Sequence, residues 1–214
     1  MDAPAKYQRQ LLDQTQQIYS QTPISDATVQ VFLATPRHLF VRRYRERASK
    51  EWHEVNQGNL HEHLATLYAD NSLTLFGDDD DNVPSTISQP SFVLRMLDLL
   101  QFQSGQTVLE LGTGSGWNAA LIGQLVGPSG RVYSLEIIPE LAQRAAETIA
   151  ELGIHNVSVI AADGGDGYVA AHRSIASPSP QAPMIFHASS TSRGKQVVCC
   201  WRSSRMKEAA TTSS

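Results

Sequence analysis

Between residues 107 and 161 the chain alternates short, β-prone apolar runs with longer stretches whose apolar positions recur at helical spacing. Thr107-Val108-Leu109-Glu110-Leu111 is a brief apolar run that enters a glycine-rich turn, and Asn118 to Leu125 beyond it predicts a helix. Arg131 to Glu136 is a second strand-like run. Pro139 to Leu152 carries Leu141, Ala145, Ile149 and Leu152 on one helical face, with Pro139 suited to a helix start and Gly153 to its end. Asn156 to Ala161 is a third strand. The order β-α-β-α-β predicts an α/β fold with a parallel, doubly wound, Rossmann-like sheet. Upstream, residues 6–21 and the segment opened by Ser25-Asp26-Ala27-Thr28 read as weakly amphipathic helices, the latter broken by Pro36. Leu60 to Leu67 and Phe92 to Leu100 also read as helices. This divides the chain into a helical N-terminal region with an acidic loop over 1–84, a cofactor-binding core over 85–168 and an atypical tail over 169–214.

Composition narrows the class. A length of 214 residues with 41% hydrophobic content supports one sizeable core. A net charge of −4 argues against general nucleic-acid binding. No run approaches a membrane span, Met1 to Gln10 is too polar for a signal peptide, and the adjacent Cys199 and Cys200 have neither disulfide nor metal spacing. A cytoplasmic setting is the default expectation. Oligomeric state is left open.

The chemistry concentrates at the ends of the predicted strands. In Gly112-x-Gly114-x-Gly116 each glycine lacks a Cβ, so the chain can turn sharply and a ligand can approach the backbone, with amides at the following helix start as donors. Counted from Gly114, the pattern Gly114-x-Gly116-x-x-Ala119 keeps a dinucleotide in play. Glu110 suits instead a ligand bearing an ammonium and a sulfonium. Glu136 lies about 20 residues after the glycines, where an acid can accept both hydroxyls of a ribose. Glu110, Gly112, Glu136 and Asp163 all fall at carboxyl ends of strands, where such sheets bind ligands.

Other clusters invite blander assignments. Arg37, Arg42, Arg43, Arg45, Arg47 and Lys50 are interleaved with Glu46, Glu51 and Glu54, which fits a solvated helix face better than an acidic-substrate patch. His61 and His63 are two apart on an expected helix and do not share a face. Asp78 to Asp81 resembles a calcium loop only at its start, because Val83 and Gln89 occupy the positions of its glycine and its bidentate glutamate. No metal site is expected.

With these residues placed, the chain resembles the protein-L-isoaspartate (D-aspartate) O-methyltransferase family over about residues 35–168. Pro36-Arg37-His38-Leu39-Phe40-Val41 is similar to the family's N-terminal signature and Thr86-Ile87-Ser88-Gln89-Pro90 to its active-site loop. Glu110 to Gly116 is similar to its S-adenosylmethionine loop, and Tyr68-Ala69-Asp70 and Asp163-Gly164 also fit. The resemblance implies that S-adenosyl-L-methionine is the cofactor and that isoaspartyl-containing peptides and proteins are the partners. It implies Ser88 as the active-site hydroxyl and Glu110, Gly112, Thr113 and Gly114 along the cofactor. Glu136 would hold the ribose, and Asp163 and Gly164 would lie near the adenine. The competing role for Ser88 is the N-cap of the helix that starts near Pro90. The segment between Val41 and Tyr68 is longer than the family's usual one, and Ala162 stands where the family tends to have glycine. A peptide-tailoring relative with another carboxylate acceptor, and a chain that binds the cofactor without turnover, are the alternatives.

The resemblance stops near Tyr168. Residues 1–168 carry 11 Lys+Arg and 20 Asp+Glu, whereas residues 169–214 carry 6 and 1, with 10 serines. Ser177-Pro178-Ser179-Pro180 stands where the family has a strand, and only Gln196 to Trp201 looks strand-like. A one-base deletion near codons 167–170 is the expected origin. Read one base out of frame, Cys199-Cys200 must give Leu and Met184-Ile185 must give Asp, and His172 to His187 can give P-F-D-R-I-A-V-T-A-G-A-D-D-I-P, similar to the family's next strand. The alternative is a natural divergent tail. On this basis the C-terminal strands are expected to be lost, leaving Val157 to Ala161 as an exposed sheet edge.

Overall fold

The computed structural model describes residues 2–47, 49–77, 85–163, 184–190 and 196–202. Gly164, the acidic run Asp78 to Asp81 and the Ser-Pro repeat at 177–180 lie outside the described residues. Two sheets share one core. The larger is built from β5 (Thr107–Leu111), β6 (Arg131–Glu136), β7 (Val157–Ala161), β8 (Met184–Ser190) and β9 (Gln196–Arg202), in the order β7-β6-β5-β8-β9. β5 is parallel to β6 and to β8, β6 is parallel to β7, and β9 runs antiparallel to β8. α5 (Trp117–Leu125) and α6 (Pro139–Glu151) make the crossovers. The periodicity of 107–161 therefore gives the right elements to within a residue or two.

One expectation about the tail is corrected. Met184–Ser190 is a strand, and Gln196–Arg202, the segment with strand-like character in the sequence, is another, so the sheet does not end at the β-α-β-α-β unit. Val157 to Ala161 is a sheet edge as expected, but the reason lies in the topology and not in the loss of a neighbouring strand. β7 is an edge strand with β6 as its single neighbour, and β8 pairs with β5 on the far side. The chain runs outward from β5 to β6 to β7, and β8 is then placed on the open flank of β5. The sheet reverses direction at β5, and a ligand crevice opens at such a switch point, at the carboxyl ends of β5 and its neighbours.

The N-terminal region is less helical than its sequence suggests. α1 (Ala3–Ile18), α2 (Asp26–Ala34), α3 (Leu60–Leu67) and α4 (Pro90–Leu100) form as expected, with Asp2 and Ser25 as side-chain N-caps of the first two. Residues 37–54, however, make a 3₁₀ turn (Arg37–Phe40), β1 (Arg43–Glu46) and β2 (His53–Glu54). With β3 (Leu73–Phe76) and β4 (Ser85–Ile87) these form an antiparallel sheet in the order β2-β1-β3-β4. The segment between Val41 and Tyr68 forms the β1-β2 hairpin and α3. Alternation decides the strand: Tyr44 is buried, while Arg43 and Arg45 share the other face, over the ring of Trp52 at 3.9 and 5.2 Å. A single buried cluster runs from Leu11 through Phe32, Leu67, Leu94, Val108 and Trp117 to Ile149 and joins the two sheets. No helix among the described residues is long and apolar enough to cross a membrane.

Candidate active site

The glycine turn closes on itself. Gly112, Gly114 and Gly116 have φ of 87°, 53° and 85°, the left-handed region that side chains avoid. Gly112 N and Thr113 N donate to the Leu135 carbonyl (2.8 and 3.1 Å), Gly114 N donates to Glu136 Oε2 (2.7 Å) and Gly116 N donates to the Thr113 carbonyl (2.9 Å). These four amides hold the turn. What the glycines supply is clearance. A Cβ at Gly114 would stand 3.4 Å from the Thr86 carbonyl and 3.5 Å from Ser85 Oγ, and one at Gly116 only 2.8 Å from the Ala145 Cβ. The first contact brings β4, the strand that leads to Ser88, against the glycine loop.

Below the loop lies a polar chain. Glu110 is fully buried at the end of β5, and its carboxylate accepts from Asn118 Nδ2 (2.6 Å) and from Ser134 Oγ. Ser134 Oγ is in turn 2.6 Å from Thr113 Oγ1, whose side chain is 4% exposed. Burial pushes the Glu110 carboxyl up to about 7, against the pull of the Ser134 and Asn118 hydrogen bonds and with the help of the Glu136 charge. Glu110 and the Thr113 side chain therefore support the loop from beneath rather than line an open crevice. Glu136, 5% exposed, accepts from Gly114 N and from Ile138 N (3.0 Å), which fixes its carboxylate at the rim of β6. Beside it Ile137 is 65% exposed, an apolar surface at the crevice that sequence reasoning missed, although a hydrophobic residue directly after a strand-end acid is a usable signal. Asp163 is exposed at the end of β7.

Ser88 is half-buried between β4 and α4. It is not the cap of α4. The N-cap position is Gln89, and the helix's first turn is held instead by a distant acid. Asp70 Oδ1 accepts from Ser91 N (2.8 Å), and Asp70 Oδ2 accepts from Ser91 Oγ (2.7 Å) and Gln89 Nε2 (2.9 Å). Around this clamp the N-terminal signature closes. Arg37, wholly buried, donates from Nη2 to the Asn71 carbonyl (3.0 Å) and lies over the ring of Trp117 at 5.4 Å. Trp117, the first residue of α5, donates from Nε1 to the Thr35 carbonyl (3.0 Å). His38 Nδ1 and the Tyr68 hydroxyl are 2.7 Å apart. Burial pulls the Arg37 guanidinium down to about 9 despite Asp70 and Tyr68, and lowers His38 as well. Four motifs scattered over the chain thus meet in one place. Asp70, Arg37 and Trp117 had no role in the site by sequence reasoning, because their partners are far along the chain.

The remaining candidates serve the fold. His63 Nδ1 is 3.1 Å from the Tyr44 hydroxyl, while His61 lies beside Glu62 at 3.8 Å, so the two histidines point to different partners. Arg42, Arg43 and Arg144 line a shallow cleft beside Gly114 and Ser115, with Arg42 paired to Glu147 (3.5 Å) and Arg144 to Glu140 (2.5 Å).

A mixed, mainly parallel sheet whose strand order reverses at β5, a glycine turn at that strand's end and an acid at the end of the next define the nucleotide-cofactor class of α/β proteins. Within that class, the Protein-L-isoaspartate(D-aspartate) O-methyltransferase (PCMT) family model matches residues 7–176, and the chain belongs to that family. A Protein-L-isoaspartate O-methyltransferase from Ignicoccus hospitalis is 51% identical over 83 residues, which is 39% of this chain and 39% of that protein. One from Methanosarcina mazei is 34% identical over 145 residues, 68% of this chain and 50% of that protein. A solved protein-L-isoaspartate O-methyltransferase structure aligns with a TM-score of 0.60 at 25% identity, over 83% of this chain and 47% of the other. The chain spans half or less of the length of these relatives.

Proposed function

We propose that this chain is an S-adenosyl-L-methionine-dependent carboxyl methyltransferase that acts on L-isoaspartyl and D-aspartyl residues of damaged proteins, in protein repair. The observation that carries it is the packing of Ser85 and Thr86 against Gly114, which brings the serine loop to the glycine turn. The cofactor fits what the crevice offers: a turn stripped of side chains, a fixed carboxylate at Glu136 for ribose hydroxyls, and the apolar flank of Ile137 for a ring. When bound, the sulfonium supplies an activated methyl: a carboxylate oxygen forms the new O–C bond as the S–C bond breaks and its electron pair passes to sulfur. The acceptor carboxyl, with a pKa of about 4, is already ionised at neutral pH, so the chain needs no general base. Its own contribution is alignment and removal of water from the nucleophile. Ser88 donates one hydrogen bond that orients the carboxylate, and the family resemblance assigns Asp163 and Gly164 to the adenine. The methyl ester then closes to a succinimide and reopens in part to aspartate.

The test is transfer of a labelled methyl group to an isoaspartyl peptide, with the normal aspartyl peptide as control. Equal labelling of both, or of neither while S-adenosylhomocysteine binds, overturns it. The second outcome is the alternative of a cofactor-binding chain without turnover, and the tail is what favours that alternative. The one-base slip near codons 167–170 remains our account of the tail, supported by a family match that ends at residue 176. Codons at 172–187 that cannot encode F-D-R in the shifted frame would remove it, and restoring the frame should raise activity.

A further inference from the structure

We propose that Asp70, backed by Arg37, is the positioning residue that sets where Ser88 stands relative to the cofactor loop. This rests on the proposed methyl transfer. Asp70 lies just past α3 and grips the serine loop on its C-terminal side with both carboxylate oxygens. Gln89, next to Ser88, donates to Oδ2, and Ser91 donates from its backbone to Oδ1 and from its hydroxyl to Oδ2. A carboxylate taking three hydrogen bonds from a three-residue stretch fixes both the place and the rotation of that stretch. On its N-terminal side the same loop is tied as β4 to β3, through Thr74–Thr86 and Leu73–Ile87 pairing. Ser88 is the residue between these two anchors.

Asp70 is itself held from behind. Asn71 N donates to the Ala69 carbonyl (2.8 Å), which makes the turn tight, and the Asn71 carbonyl receives Arg37 Nη2 at 3.0 Å. The Arg37 guanidinium is wholly buried, its Nε and Nη1 have no hydrogen-bond partner among the described residues, and Asp70 is the foremost charge favouring it. Leaving two donors unsatisfied in the core is costly, so the guanidinium's position has to be worth more than its solvation. Its Cζ also lies over the ring of Trp117, the residue that follows the glycine loop. Arg37 therefore touches both halves of the site: the turn that clamps the serine loop and the helix that carries the cofactor loop. A helix cap alone would need neither the second oxygen nor the buried cation.

The experiment is a double-mutant cycle on the full chain between Asp70→Asn and Ser88→Ala, with amide exchange as a second readout. Asp70→Asn keeps the size and one acceptor but loses the charge and the three-bond clamp. It should lower kcat about 10-fold with an unchanged Kd for S-adenosylhomocysteine, and it should cost less than about 2-fold in the Ser88→Ala background. Exchange of the amides between Ile87 and Ser91 should quicken about 10-fold, with those of α5 unchanged, and Arg37→Lys should reproduce that pattern more weakly. An equal loss of kcat in both backgrounds, or loosening spread over the whole molecule, overturns the proposal and leaves Asp70 a stability residue. Unchanged exchange at 87–91 overturns it too. If the unaltered chain transfers no methyl group, the functional reading falls by itself and the exchange pattern still decides the role of Asp70.

Discussion

The cofactor half of the site is a local structure and the serine half is an assembled one. Around the glycine turn the hydrogen bonds stay within β5, β6, the turn and the start of α5: Gly114 to Glu136, Thr113 to Ser134, Ser134 to Glu110, Asn118 to Glu110. Around Ser88 the contacts come from Asp70, and behind it from Arg37, His38, Thr35 and Trp117, residues of different elements. The first half depends on backbone conformation that glycine permits, the second on side chains that must arrive from elsewhere. They meet at one seam, where Gly114 faces Ser85 and Thr86.

The largest effect expected is at the local half. Gly116→Ala puts a methyl group 2.8 Å from Ala145 at a φ of 85°. Left-handed strain and overpacking together predict a loss of about 2–5 kcal/mol of stability, read by chemical denaturation. Retention of full stability would mean that α6 gives way easily and the turn is less fixed than its geometry implies. Next comes Glu136→Ala, which removes both the ribose acceptor and the anchor of Gly114 N. Affinity for S-adenosylhomocysteine should fall by about 1.5–3 kcal/mol, on the order of 10- to 150-fold, in calorimetry. An unchanged Kd would take Glu136 out of the cofactor site.

Ser88→Ala sharpens the contrast from the other side. It should lower turnover about 10- to 100-fold, or 1.4–2.8 kcal/mol, at unchanged cofactor affinity. Because Asp70 and not Ser88 caps α4, the melting temperature should stay within a degree or two. A fall in melting temperature with turnover intact would restore the capping role. The smallest effect is a slope with pH. The Glu110 carboxyl titrates near 7 in the folded chain against 4.5 for the unperturbed group. The folded state then binds more protons than the unfolded one across that window, so the burial cost of Glu110 grows as pH rises from about 4.5 to about 7. Glu110→Gln should remove that slope: stability near that of the unaltered chain at pH 5, and higher by about 1–3 kcal/mol at pH 8. Equal melting curves at both pH values would show that the hydrogen bonds from Ser134 and Asn118 fully offset the burial.

Sequence by itself determined the elements of the parallel sheet, the glycine turn and the strand-end acids. These follow from periodicity and from backbone freedom, which act over a few neighbouring residues. It marked Ser88 only through a resemblance, and it assigned the arginine-rich stretch after Pro36 to a helix that the structure replaces with strands. The reason is physical: Arg43 and Arg45 gain their place by stacking on Trp52, and no window of local spacing registers that contact. The tertiary structure alone decided that β8 returns to the open flank of β5, that the amides of the turn are spent on the turn, and that Asp70 clamps the serine loop from 21 residues away. Each of those outcomes is a hydrogen-bond partner chosen among distant groups once the core has closed. A chain can advertise its donors and acceptors, but which of them meet is settled by the packing that excludes water from around them.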